Sequence, residues 1–310
     1  MSSIIKVTSL SKHFEDITAV DGLSFSVEQG DVYGFLGQNG AGKSTTIRML
    51  LTLVKPSAGS IQVFGKDLGT HRKEILKQVG AVIEKPDLYK YLSAYDNLAI
   101  FAKLSGLRPE KQVLMKQLER VGLAERAGSK IRTFSQGMKQ RLGIAVALVH
   151  DPRLIILDEP TNGLDPQGIA DMRNLIIRLS REQGKTIVVS SHLLSEIELV
   201  ANRILIIDKG RKIVEGKSAE LLDPAKTIVQ VETLDNPDAK GRLSATKWST
   251  CILPGVGSLR LQISRTDIPL LTAELVSLGI GVLSIQPRHS LEDYFLSLTT
   301  PGQHVEPIAN

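Results

Sequence analysis

The sequence predicts an α/β fold with a mainly parallel sheet that helices cover on both faces. Short, continuous apolar runs, which are typical of strands buried on both faces, occupy residues 32–36, 154–157, 186–190 and 204–207. A helical pattern over residues 168–181 separates two of these runs. A glycine-rich segment, residues 37–44, follows the first run and precedes a second helical pattern. Strands that alternate with helices in this way favour a parallel sheet.

The elements before residue 93 are mostly predicted strands. Apolar and β-branched segments predict strands at residues 4–10, 23–27, 61–64 and 79–83. Gly30 and Asp31 predict a turn into the strand that carries the glycine-rich segment, and residues 65–67 predict another turn. The helix that follows the glycine-rich segment is predicted to end near Lys55 and Pro56, because proline cannot continue a helix.

From about residue 93 to residue 149 the pattern becomes helical. Apolar residues recur there at intervals of three and four, with loops at Gly106 and Gly128. We therefore predict a helical subdomain at about residues 88–150, inserted in a first domain that covers residues 1–220.

Residues 221–310 predict a small α+β extension with no chemical motif. Strands are expected at residues 227–231, 258–263 and 282–285, and helices at residues 268–278 and 291–298. The first of these helices has Asp267 at its predicted N-cap and Pro269 in its first turn.

Composition limits the class of protein. Hydrophobic residues make up 42% and charged residues 23% of the 310 residues, as in an ordinary globular protein. The longest apolar runs are far too short to cross a bilayer, and the N-terminus shows no secretory signal, so a soluble protein is expected. The single cysteine, Cys251, excludes an internal disulfide and is predicted to be buried. The net charge of +5 is spread along the chain.

The glycine-rich segment fits the G-x-x-x-x-G-K-[ST] pattern of a phosphate-binding loop. Its glycines allow successive N–H groups to turn toward one anion, at the positive end of the next helix. Lys43 is expected to contact the outer phosphates of a nucleotide triphosphate, and Ser44 to hold Mg2+. The predicted nucleotide-binding residues of the loop are Gly37, Gln38, Asn39, Gly40, Ala41, Gly42, Lys43, Ser44 and Thr45.

Two carboxylates follow the apolar run at residues 154–157. Asp158 is placed to hold Mg2+, and Glu159 to accept a proton from the water that attacks the γ-phosphate. Adjacent acids also occur at ordinary strand ends, so the functional interpretation of this pair depends on the phosphate loop upstream.

The segment from Phe134 to Leu142 resembles the signature of ATP-binding cassette (ABC) proteins, whose usual form is Leu-Ser-Gly-Gly-Gln. Ser135 has the preferences of a helix N-cap, and the helix that it begins has a predicted buried stripe at Leu142, Ala145, Val146 and Val149. The resemblance implies that Ser135 and Gly137 contact the γ-phosphate bound by a second subunit, with Gln136 at the dimer interface. An ordinary capped helix is the alternative.

The resemblance covers about residues 4–216 and implies further roles, one residue at a time. Phe14 resembles the aromatic residue on which adenine stacks, although a core phenylalanine is the alternative. Asp165 resembles a residue of the loop that crosses the dimer interface. His192 resembles the histidine that contacts the γ-phosphate and orients the attacking water. The resemblance also implies a P-loop nucleotide hydrolase core with an N-terminal antiparallel β subdomain.

One position departs from the family pattern. Most members have glutamine after the strand at residues 79–83, whereas this chain has Glu84, which could also contact Mg2+. Residues 81–86, read together with the signature, are similar to the branch that includes bacitracin- and lantibiotic-type exporters. Downstream, Tyr89, Tyr91 and Tyr95 lie where the family accepts a helix from its membrane partner; packing inside the helical insert is equally compatible.

The resemblance implies an ATPase that pairs with a second copy or another ABC subunit and drives a separate membrane permease from its cytoplasmic face. Relatives that act on DNA or ribosomes form a second class, but they usually carry two cassettes or a long coiled coil, and this chain has one cassette and a short insert. No nucleic acid is expected. A regulator with degenerate catalysis is a third class, against which the complete set of Lys43, Asp158, Glu159 and His192 argues.

Overall fold

The computed structural model describes residues 3–108, 110–221, 227–253 and 259–288, which divide after Lys217 into two compact units. The first unit contains strands β1 (Ser3–Phe14), β2 (Ile17–Glu28), β3 (Val32–Leu36), β4 (Ala58–Val63), β5 (Lys66–Asp67), β6 (Val79–Val82), β7 (Leu154–Asp158), β8 (Thr186–Ser191), β9 (Arg203–Asp208) and β10 (Arg211–Lys217). Its α-helices are α1 (Lys43–Leu50), α2 (Arg72–Leu76), α3 (Ala94–Leu104), α4 (Lys111–Arg120), α5 (Gln136–Ala147), α6 (Pro166–Arg181) and α7 (Leu194–Glu198).

Six strands form the larger sheet of the first unit, in the order β10-β9-β3-β8-β7-β6. All neighbours are parallel except β10 and β9, which are antiparallel. Every residue of β3, β7 and β8 is buried, as expected for strands covered on both faces. The predicted α/β fold with a mainly parallel sheet is confirmed.

The smaller sheet of the first unit is antiparallel, in the order β2-β1-β4-β5, and confirms the predicted N-terminal β subdomain. One apolar core contains residues of both sheets, and Phe25 of β2 stacks on Tyr33 of β3 with ring centroids 5.8 Å apart. The Tyr33 hydroxyl donates a hydrogen bond to Glu215 of β10 at 2.8 Å. Burial, followed by the charge of Glu215, raises the pKa of Tyr33 above its usual range, so the phenol remains a donor.

Helices α3, α4 and α5 lie between β6 and β7 in the chain. Ser93 caps α3 in a capping box with Asp96, and Ser135 caps α5 by accepting a hydrogen bond from the Met138 N–H at 3.3 Å. The predicted cap at Ser135 is thus confirmed. The buried stripe of α5 differs in part from the prediction, because Val146 and Val149 are only partly buried. Its other buried apolar residues are Leu142, Ile144, Ala145 and Ala147.

The prediction that α1 ends near Lys55 and Pro56 was wrong, because α1 ends at Leu50. Thr52 has a left-handed backbone, with φ of 59°, and the Leu53 N–H turns back to the Arg48 carbonyl at 2.8 Å. This local turn, and not the proline, stops the helix. The predicted turn at residues 65–67 is also displaced, because Lys66 and Asp67 form β5 and pair with β4.

The second unit contains α8 (Ser218–Leu221), β11 (Thr227–Thr233), α9 (Asn236–Leu243), β12 (Leu259–Ile263), α10 (Ile268–Ser277) and β13 (Val282–Arg288). The three strands form an antiparallel sheet in the order β12-β11-β13. Alternate residues of β11 are buried, and Val229 and Val231 pack in one core with Leu243 of α9 and Leu271 of α10.

Two predictions for the second unit were only partly right. Asp267 is the N-cap residue of α10, as predicted, but its side chain makes no capping hydrogen bond, whereas Ser264 accepts a hydrogen bond from the Thr266 N–H one turn earlier. Cys251 is only partly buried, beside the core. The predicted helix at residues 291–298 and the first residue of the predicted strand at 258–263 lie outside the described residues. Every helix in the described ranges is too short or too polar to cross a membrane.

Candidate nucleotide site

The glycine-rich loop joins the carboxyl end of β3 to the N-terminus of α1. Its shape requires glycine at two positions at least. Gly42 has φ of 104°, and a Cβ there would lie 2.5 Å from the Ala19 carbonyl oxygen. A Cβ on Gly37 would lie 2.6 Å from the Ile207 carbonyl oxygen. The loop therefore packs against neighbouring backbone and leaves the first N–H groups of α1 as anion donors.

The Lys43 ammonium lies inside this loop and is only 5% exposed. It donates hydrogen bonds to the carbonyl oxygens of Gly37, at 2.7 Å, and Gln38, at 3.2 Å. Its third partner is Glu159, whose Oε1 is 3.2 Å away. A buried ammonium is stable only with such partners. A phosphate group could replace them, since it supplies the same negative oxygens.

Asp158 lies at the end of β7 and is 1% exposed. Its Oδ1 accepts hydrogen bonds from the Ser190 hydroxyl, at 2.6 Å, and the Ser44 hydroxyl, at 3.4 Å. Its Oδ2 is buried and has no hydrogen-bond partner. Leaving a buried carboxylate oxygen unpaired costs about 1–3 kcal/mol or more, so this atom is suited to a cation.

The donor set at Asp158 fits Mg2+. This ion prefers oxygen ligands and is usually held by one or two carboxylates together with substrate phosphates and water. Asp158 and Ser44 supply a carboxylate and a hydroxyl at the mouth of the phosphate loop. Among the described residues, no group of three or more His, Cys, Asp or Glu side chains forms a metal cage.

Glu159 is held at both carboxylate oxygens. Oε1 faces Lys43, and Oε2 lies 2.6 Å from Nδ1 of His192, which follows β8. The Glu159 N–H donates to the Ser190 hydroxyl at 2.9 Å, and the backbone of Glu159 is left-handed, with φ of 50°. Such a backbone is strained for a residue with a side chain and is common at functional sites. The structure thus brings together the predicted residues Lys43, Glu159 and His192.

Phe14 lies at the end of β1 and its side chain is 44% exposed. The alternative of a core phenylalanine was therefore wrong. The Lys12 ammonium lies 4.6 Å from the ring centroid, in a cation–π contact. Beside it, His13 Nδ1 is 3.0 Å from the Thr18 hydroxyl across the β1-β2 hairpin, which fixes the direction of the strand end. An exposed, oriented ring of this kind can stack on a nucleotide base.

Two predicted interface residues are exposed and have partners in their own elements. The Ser135 hydroxyl accepts a hydrogen bond from the Met138 N–H of α5, and the first turn of that helix contains Gln136 and Gly137. Asp165 caps α6 by accepting a hydrogen bond from the Gly168 N–H at 3.0 Å. Ordinary capping explains these local contacts, and the N–H groups at each helix terminus still offer a place for an anion.

Glu84 is the predicted site residue whose contact was not foreseen. Its carboxylate is 63% exposed and pairs with Arg48 of α1, and its backbone is left-handed, with φ of 55°. Sequence reasoning missed Arg48, and it missed Ser190, which bridges Asp158 and the Glu159 backbone. The spacing of four residues between Ser44 and Arg48 in a helix could have indicated that Arg48 lies near the site. Ser190 gave no such signal, because its sequence context predicts only a strand residue.

Comparison with known proteins agrees with this geometry. The sequence model of the family described as ABC transporter matches residues 20–162. The bacitracin transport ATP-binding protein BcrA of Bacillus licheniformis is 43% identical over 97% of this chain and 99% of its own length. This chain belongs to the ABC transporter family. The lantibiotic transport ATP-binding protein SrtF of Streptococcus pyogenes is 41% identical over 68% of the chain and 90% of its own length.

A solved ABC structure shows the same fold. The ATP-binding cassette MJ0796, a dimer in a post-hydrolysis state bound to ADP and Pi, matches with a TM-score of 0.62 and 25% identity. The match covers 69% of this chain and 98% of that one. This chain is an ATP-binding and ATP-hydrolysing subunit of an ABC transporter.

The exposure of Phe14 leads to a prediction about the base of the nucleotide. Phe14→Ala should weaken ATP binding by about 5- to 150-fold, because stacking of a base on an aromatic ring contributes about 1–3 kcal/mol. Phe14→Trp should bind as the wild type does. Equilibrium binding of a fluorescent ATP analogue measures both variants. Competition by tripolyphosphate is the control, since it lacks a base: an equal loss of tripolyphosphate affinity in Phe14→Ala would contradict the stacking role.

Proposed function

We propose that this chain drives an exporter: two copies, or one copy and a paired ABC subunit, close head to tail around two ATP molecules and move a separate transmembrane subunit. The observation that carries the catalytic part is Glu159, held between Lys43 and His192 beside the unpaired Oδ2 of Asp158. Relatives named for bacitracin and lantibiotic transport support the class of transporter. The first unit is the nucleotide-binding domain, and the second is an accessory extension.

ATP is proposed to enter with its phosphates on the loop. The N–H groups of residues 40–45 and the Lys43 ammonium hold the β- and γ-phosphates, and adenine stacks on Phe14. Phosphate oxygens replace Glu159 as a partner of Lys43, which frees the Glu159 carboxylate. Bound at Ser44 and Asp158, Mg2+ neutralises charge on the phosphates.

The freed Glu159 carboxylate accepts a proton from the attacking water, which it can reach from the end of β7. His192, 2.6 Å from Glu159, fixes the orientation of that carboxylate and donates toward the γ-phosphate. Ser190 supports both acids, because its hydroxyl donates to Asp158 and accepts from the Glu159 N–H. These contacts position the base before the nucleotide binds.

The second half of each site comes from the other subunit. Ser135 stands exposed at the N-terminus of α5, a 12-residue helix whose dipole favours an anion there. The Ser135 hydroxyl oxygen accepts a hydrogen bond from the Met138 N–H at 3.3 Å, a long contact that a γ-phosphate could displace. Gln136, Gly137 and Asp165 of the same surface are proposed to complete the interface.

The membrane partner is proposed to dock in a groove of about 370 Å³ on the first unit. The groove is lined by Lys85, Pro86, Asp87, Leu88, Lys90, Ile131, Gln136 and Lys139. Three lysines against one aspartate favour an acidic segment with an apolar side. Tyr89 and Tyr91, which are 52% and 79% exposed in the same stretch of chain, extend the contact surface. Gln136 belongs both to this groove and to the signature, so docking and ATP-site closure share a residue.

Replacement of Glu159 tests the catalytic proposal. Glu159→Gln should keep ATP binding and lower turnover by about 100-fold or more, since it removes the general base and leaves the shape unchanged. An ATP-bound dimer should then accumulate and elute early in size-exclusion chromatography. Glu182→Gln, an exposed change just beyond α6, is the control and should hydrolyse ATP normally. Unchanged ATPase activity in Glu159→Gln would remove Glu159 as the base.

Mixing of two inactive variants tests the head-to-tail dimer. Ser135→Arg and Lys43→Met should each abolish hydrolysis, the first without loss of ATP binding to the monomer. In a mixed dimer, the intact Lys43 of one copy faces the intact Ser135 of the other, so activity should return. Ser93→Arg removes an equivalent helix cap, on α3, and controls for loss of folding stability. A mixture that stays inactive would show that Ser135 serves its own subunit.

Charge reversal tests the docking groove. The double variant Lys90→Glu and Lys139→Glu should lose the multispanning membrane protein that copurifies with the wild-type chain from detergent-solubilised membranes, while the isolated chain still binds ATP. Lys111→Glu with Lys116→Glu, both exposed on α4, applies the same charge change outside the groove. Equal retention of the membrane protein by the two double variants would contradict docking at this groove.

A further inference from the structure

The Arg48–Glu84 ion pair lies one helical turn from the proposed magnesium position. Arg48 follows Ser44 by four residues in α1, so both side chains lie on one face of that helix. Ser44 is the residue whose hydroxyl reaches Asp158. A side chain that pairs with Arg48 is therefore close to the mouth of the phosphate loop.

The sheet places Glu84 beside the two site carboxylates. Strands β6 and β7 are parallel neighbours, with Val82 opposite Leu157. Glu84 is two residues beyond Val82, and Glu159 is two residues beyond Leu157, so both emerge at the same edge of the sheet. Each has a left-handed backbone, with φ of 55° and 50°. Two adjacent strands are thus each followed by a carboxylate residue with a left-handed backbone.

Each of these two carboxylates pairs with a cation of α1. Glu159 pairs with Lys43, and Glu84 pairs with Arg48. Without the second cation, Glu84 would add uncompensated negative charge next to Asp158 and Glu159. The two pairs differ in burial, because Lys43 is 5% exposed whereas Arg48 and Glu84 are 42% and 63% exposed. An ion pair as exposed as Arg48–Glu84 is weak and can be exchanged.

We propose that Arg48 is a positioning residue that withholds the Glu84 carboxylate from the metal position, and that Glu84 leaves Arg48 for Mg2+ when the nucleotide arrives. This inference rests on the proposed ATP and Mg2+ site. The buried, unpaired Oδ2 of Asp158 marks the metal position, and Glu84 follows the neighbouring strand at the same edge of the sheet. Glu84 thus exchanges one cation, Arg48, for another, Mg2+. The strength of its pair with Arg48 sets the Mg2+ concentration that this exchange requires.

The test measures nucleotide binding and needs no hydrolysis. A fluorescent, non-hydrolysable ATP analogue is titrated at a series of Mg2+ concentrations, which gives the Mg2+ concentration for half-maximal binding. Arg48→Met should lower that concentration by about two- to fivefold, the effect of losing one exposed ion pair. Glu84→Gln should raise it, because a metal ligand is lost. Arg48→Lys, which keeps the charge, should behave more like the wild type than Arg48→Met does.

The double variant decides whether Arg48 acts through Glu84. Arg48→Met in the Glu84→Gln background should leave the Mg2+ requirement of Glu84→Gln unchanged. Arg72→Met is the matched control, since Arg72 is a nearby cation whose side chain bonds to Thr52, and it should have no effect on Mg2+. Thermal unfolding without nucleotide confirms that each variant is folded.

Two results would overturn the inference. One is a Mg2+ requirement that Arg48→Met leaves unchanged, and the other is an equal shift in the presence and absence of Glu84. Either result would leave the Glu159→Gln dimer intact, so it would count against the Arg48 exchange alone. Failure of Glu159→Gln to trap a dimer would instead count against the proposed ATPase site.

Discussion

Burial of the Lys43 ammonium is the constraint on which the site depends. A cation that is 5% exposed must find negative or carbonyl oxygens close by, or its desolvation would outweigh any packing gain. The loop supplies two carbonyl oxygens, but the charged partner is Glu159, from a different strand. The ends of β3 and β7 are therefore held together by one buried charge, and β8 joins them through Ser190 and His192.

This arrangement holds Glu159, the proposed base, in place and leaves it available. Glu159 has Lys43 on one oxygen and His192 on the other, so its direction is fixed before the nucleotide arrives. In the proposed mechanism, phosphates compete for Lys43, and their arrival frees the Glu159 carboxylate. Glu84 is also proposed to leave its cation when the nucleotide arrives. Its ion pair with Arg48, which lies on the same helix as Lys43, is weaker because both side chains are exposed. Helix α1 thus carries two cations of different burial, each matched to a carboxylate on a neighbouring strand.

Most of the fold was predictable because its signals are local. Continuous apolar runs identified the buried strands β3, β7 and β8, and the serine cap of α5 followed from residue preference alone. The failures have a common cause. The end of α1 and the missing side-chain hydrogen bond at Asp267 depend on where the backbone turns and what packs nearby, which residue type does not specify.

The sequence by itself determined which chemistry the site can carry, because the spacing of glycines, lysine and serine in the loop fixes a backbone shape for phosphate. It also determined the pair of acids after an apolar strand. Only the tertiary structure decided which groups meet: Lys43 with Glu159, Ser190 with Asp158, and Arg48 with Glu84. Lys43 and Glu159 are 116 residues apart in the chain, and Ser190 and Asp158 are 32 residues apart. Such contacts follow from the order and register of strands in the parallel sheet, a property of the whole fold that no local pattern encodes.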